Sequence, residues 1–60
     1  MSRYKRLKRL IQTTNTVQKI REIEQVLIYL YEDYKLTERE FGRLDLLCCD
    51  QWMKIDTERF

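Results

Sequence analysis

Along most of the chain apolar residues recur every three or four positions, and this rhythm predicts helices rather than strands. From Arg3 to Gln12, Tyr4, Leu7, Leu10 and Ile11 fall at helical spacing with bases in the gaps, the pattern of a short basic amphipathic helix. A helix of this length is marginal alone in water, and bases at its N-terminus oppose the helix dipole. It should fray unless something covers its apolar stripe. Thr13, Thr14, Asn15 and Thr16 then break the periodicity, because their side chains compete for backbone hydrogen bonds. Asn15 is the expected N-cap of the next helix, with Gln18 completing a capping box.

Between Thr16 and Tyr34 the apolar seam is Ile20, Ile23, Leu27, Leu30 and Tyr34, alternating steps of three and four. That is a heptad seam, with Val17 one turn before it. Val26, Ile28, Tyr29 and Tyr31 lie outside the seam, so this helix must be covered on more than one face. A strand is the competing reading of this β-prone run, but the heptad continues through it.

The next turn is marked by two devices. Thr37 and Glu40 form a Thr-x-x-Glu capping box, and Leu36 and Phe41 occupy the two positions of a hydrophobic staple. A third helix is predicted from Glu38 to about Ile55, with Phe41, Leu44, Cys48, Trp52 and Ile55 on one face. Leu46, Cys49 and Met53 make a second apolar strip, and Leu47 widens the apolar surface. Arg39, Arg43, Asp50 and Lys54 fall on the more polar side, and Gly42 is a weak point near the start. The stretch Tyr34-Lys35-Leu36-Thr37-Glu38-Arg39-Glu40 is similar to a helix start in the small enterobacterial nucleoid-associated modulators, over these seven residues.

The predicted fold is therefore all-α: an antiparallel helical hairpin with a short basic N-terminal helix, dimerising into a four-helix bundle. Residues 1–60 form one small domain, with 1–14 as the basic arm and 15–60 as the hairpin. Sixty residues allow no more than one domain, and a chain this short often needs oligomerisation or another staple. Both long helices carry more apolar surface than a single interface covers. Either the first helix folds over as a third member or two hairpins pair, and the shortness of the first helix favours the pair.

Charge sharpens this picture. Residues 1–21 hold Arg3, Lys5, Arg6, Lys8, Arg9, Lys19 and Arg21 and no acid, a charge of +7; residues 22–60 hold all ten acids against five bases, a charge of −5. Such asymmetry suits a basic arm meeting phosphate, an anionic surface or its own acidic body. Cys48 and Cys49 are adjacent, too close for an unstrained disulfide, and read as reduced thiols. The longest apolar run, Val26 to Tyr31, is far below the roughly 20 residues that span a bilayer. The N-terminus also lacks a signal peptide's apolar stretch. The expected location is the cytoplasm.

Catalytic chemistry lacks its usual parts: no His, no Gly-rich phosphate loop and no Ser beyond Ser2. Glu38 and Glu40 complement a helix start rather than form an acid–base pair. Cys48, Cys49 and Asp45 lack the spacing of a metal set, because consecutive helical residues point about 100° apart. No enzyme activity, catalytic residue, metal or cofactor is expected. Two binding readings remain. In the first, Tyr29, Tyr31, Trp52 and Met53 anchor a larger protein partner, since such side chains dominate binding hot spots. In the second, Arg3, Lys5, Arg6, Lys8 and Arg9 contact nucleic-acid phosphates as a transcriptional regulator's arm, with Tyr4 packing alongside. An anionic membrane surface would attract the same helix.

Overall fold

The computed structural model describes residues 2–58, and these form three helices with no strand among them: α1 (Arg3–Thr13), α2 (Val17–Glu32) and α3 (Glu38–Glu58). Ser2 caps α1, its hydroxyl accepting from the Lys5 amide at 3.3 Å. Thr16, not Asn15, caps α2, accepting from the Lys19 amide at 3.3 Å. Asn15 and Thr16 are both competent caps, so composition alone does not choose between them. The Thr37–Glu40 box is fully made: the Thr37 amide donates to Glu40 Oε1 at 3.0 Å and the Glu40 amide to Thr37 Oγ1 at 3.1 Å. Leu36 is buried and Phe41 half-buried, as a staple requires.

The seam of α2 stops earlier than its spacing predicts. Ile20, Ile23 and Leu27 are buried and Leu30 is half-buried, but Tyr34 is 95% exposed. The helix ends at Glu32 because the chain turns left-handed at Tyr34, with φ of 59°. There the Lys35 amide donates to the Leu30 carbonyl at 2.8 Å and the Tyr34 amide to Tyr31 at 3.1 Å. This is the paired bonding of a Schellman motif, with tyrosine where glycine is usual. At the other end of the chain, α3 continues three residues past its expected limit at Ile55.

The core is one cluster: Leu7 and Ile11 from α1, Ile20, Ile23 and Leu27 from α2, Leu36 from the turn, and Leu44, Cys48 and Ile55 from α3. Both α1 and α2 pack on α3. The first helix thus covers its own stripe by lying on α3, which supplies the shielding its length demands. Two contacts fix its direction. The Arg3 guanidinium donates to the Lys35 carbonyl at 3.2 Å, and Gln51 Nε2 donates to the Thr14 carbonyl at 2.8 Å. Thr14 is itself buried, its hydroxyl donating to the Leu10 carbonyl at 2.7 Å. The connector between α1 and α2 is therefore tied to α3 by a polar contact as well as by apolar packing.

Candidate interaction surface

Folding leaves several large apolar side chains outside the core. Leu10, Val26, Ile28, Tyr29, Tyr31, Tyr34, Leu46 and Met53 are all exposed. Solvent-accessible surface totals 5025 Å², whereas a compact monomer of 7.5 kDa exposes about 4,200 Å². The difference reflects an elongated body, 39 × 21 × 16 Å, that does not wrap its helices on all sides.

Of the four predicted anchors, only Trp52 and Met53 are brought together; Tyr31 lies beside the α2–α3 turn. Tyr31 stacks on Phe41 with ring centroids 4.7 Å apart and planes inclined by 37°. Trp52 is half-buried against the core, and the Arg21 guanidinium carbon lies 5.3 Å from its ring centroid. That is cation–π range. Met53 is exposed and lines, with Glu24, Asp45, Cys49 and Trp52, a shallow depression of about 340 Å³. Tyr29 stands apart. Two residues from Tyr31, it points to another side of α2, where it borders a hollow with Leu30, Glu32 and Asp33. As residue types the four belong together as aromatic or soft apolar side chains; the fold places Tyr29, Tyr31 and the Trp52–Met53 pair in three different places.

The basic residues are displayed rather than folded away. Arg3, Lys5, Arg6, Lys8 and Arg9 are all exposed, and Tyr4 is half-buried beneath them. Tyr4 therefore packs on the core instead of offering its ring to a base. On the far flank of α2, Leu7, Leu10, Ile23 and Val26 line a groove of about 220 Å³ closed by Lys19 and Glu22.

Chemistry is sparse. Burial against the core pushes the Cys48 thiol up to about 12 from its ordinary value, and the charges of Glu24, Asp45 and Cys49 add to the effect. Cys48 is thus a small apolar core residue, while Cys49 beside it is exposed and free. Among the described residues, no group of three or more His, Cys, Asp or Glu side chains could hold a metal ion. No described helix is long and apolar enough to cross a membrane. Comparison with protein-family models, curated proteins and solved structures finds no match to this chain.

Proposed function

We propose that this chain is a small non-enzymatic regulatory protein that binds and modulates a larger protein through the apolar surface of α2 and α3. The observation carrying this reading is the apolar surface that α2 and α3 leave open, where Trp52 and Met53 line a depression rimmed by Glu24 and Asp45 and Tyr31 keeps accessible area separately, beside the turn. Aromatic and methionine side chains set among a few charges are the usual makeup of a recognition surface. In this reading α2 and α3 act as an antiparallel hairpin, and two copies pair as a homodimer in a four-helix arrangement with α1 outside. Tyr29 serves as a separate contact on the outer side of α2. The protein acts in the cytoplasm, with no cofactor.

Affinity capture from the native host tests the partner. Tyr31→Ala, Trp52→Ala and Met53→Ala should each release the captured protein while thermal melts confirm a folded chain. A captured protein held equally by all three variants refutes the assignment of this surface.

A second reading rests on the display of Arg3, Lys5, Arg6, Lys8 and Arg9 along the outside of α1. In it, the arm binds nucleic-acid phosphates without reading sequence. Titration with mixed-sequence duplex DNA and RNA at low and moderate salt decides the point. Salt-sensitive binding abolished by changing the five bases to Ala supports the arm, and no binding at low salt removes it.

A further inference from the structure

Gly42, Leu46, Cys49 and Met53 recur along α3 at steps of four, three and four, a heptad seam on the side of the helix turned away from Leu44, Cys48 and Ile55. None of the four is buried; Leu46 is 69% and Met53 62% exposed. The fold gives no reason for the glycine. A Cβ at position 42 would meet nothing within 4 Å, and its φ is not positive, so neither packing nor backbone conformation requires it. On the exposed face of a helix, here near the start of α3, such a residue weakens the helix. The seam therefore carries a small residue and two large apolar ones that the monomer does not use.

Charges beside the seam favour a particular occupant. Arg43 and Asp50 sit seven residues apart, immediately after Gly42 and Cys49, and so occupy equivalent positions along one edge. Asp45 and Trp52 occupy the opposite edge, immediately before Leu46 and Met53. When two such helices pair antiparallel about a two-fold axis between Leu46 and Cys49, like edges face one another. Arg43 then meets Asp50 of the second copy, and the symmetry makes that ion pair twice. Asp45 meets the neutral Trp52. Parallel pairing would instead set Asp45 against Asp50 of the other chain, a like-charge contact. The order of the two charges along α3 is thus self-complementary in one direction only.

We propose that the outer strip of α3 is the homodimer interface, with two copies joined antiparallel, Leu46 opposite Cys49, Gly42 opposite Met53, and reciprocal Arg43–Asp50 ion pairs. The proposal deepens the dimer of the preceding section and rests on it. The missing Cβ at Gly42 lets the facing Met53 approach closely. Pairing covers Met53 from its outer side and leaves Tyr31 and the α2 rim of the depression free for a different partner.

Sedimentation equilibrium of the full chain, without any partner, tests this separately from partner capture. At about 100 µM the wild-type protein should be dimeric. Leu46→Glu and Gly42→Leu change exposed positions and should leave the helical circular dichroism intact while shifting the protein to monomer. Arg43→Asp and Asp50→Arg should each weaken the dimer about tenfold or more, and the double charge swap should return it to within about threefold of wild type. A wild-type monomer at this concentration overturns the proposal, whatever partner it captures. So does a dimer that tolerates Leu46→Glu, or one that the double swap fails to restore. A dimer with these responses that captures no partner supports this interface and refutes the partner reading alone.

Discussion

Replacing Tyr34 by glycine should make the protein more stable, although it deletes an aromatic ring. Tyr34 holds φ of 59°, and its side chain is 95% exposed, so it contributes little packing to offset its conformation. The left-handed region costs an L-residue about 1–2 kcal/mol through the clash of Cβ with the backbone. Glycine removes that clash but loses about 0.5–1 kcal/mol more to the freedom of the unfolded chain. The net gain is about 0.5–1 kcal/mol, a rise of about 2–8 °C in Tm for a domain of this size. Thermal unfolding followed at 222 nm reads it directly. Two controls isolate the cause. Tyr34→Ala keeps a Cβ and should gain little, and Asp33→Gly, one residue earlier at φ of −88°, should lose stability. If Tyr34→Gly leaves Tm unchanged or lower, the strain argument is wrong. A confirmed gain would mean that the chain retains a large exposed aromatic at a strained turn at the expense of stability, as binding residues often do.

Further outcomes follow from the same packing. Ile11 is fully buried where α1 meets α3, so Ile11→Ala should lower stability by about 2–5 kcal/mol in chemical denaturation and expose α1 to limited proteolysis. Thr37→Ala removes the hydroxyl that caps α3 and should cost about 0.5–2 kcal/mol, with Glu40→Ala costing a further amount in the same background, because its carboxylate accepts from the backbone amide of residue 37, which the first substitution leaves in place. With a thiol reagent near neutral pH, and at a concentration low enough to keep the chain monomeric, the folded protein should label at Cys49 alone, and denaturant should release the second site. Because Cys48 stays protonated up to about pH 12 when folded, its contribution to stability is complete below the unfolded thiol's value near 9 and declines as pH rises from there towards 12. Cys48→Ala should flatten that part of the stability–pH curve.

Most of the helices could be read from the chain because their signals are local. The Thr37–Glu40 box and the Leu36–Phe41 staple positions lie within six residues; the box is made by both its hydrogen bonds, and Leu36 and Phe41 both turn to the core. The Ile20–Leu27 part of the seam went into the core for the same reason. The end of α2 was less legible. Tyr34 continues the heptad perfectly, and nothing in its side chain signals a left-handed turn. The position of α1 was also hidden, since its bases suggested a free arm. Leu7 and Ile11 find their cover on α3, and the Thr14–Gln51 contact that ties it there joins residues 37 apart. For the interaction surface, the Leu46–Cys49–Met53 strip was visible as a spacing, whereas its exposure needed the fold. Tyr29 and Tyr31 look equivalent as residues and are separated only by the helix turn between them.

The central claim is that this protein acts through an apolar surface of α2 and α3 rather than through its basic helix. A side-by-side capture from the native host tests it most directly, using the wild-type chain, a variant with Arg3, Lys5, Arg6, Lys8 and Arg9 changed to Ala, and the Tyr31→Ala and Trp52→Ala variants. The account predicts one protein partner retained by the wild type and by the arm variant, and lost with either aromatic. Retention by the folded aromatic variants together with loss from the arm variant would contradict it and transfer function to the basic face of α1.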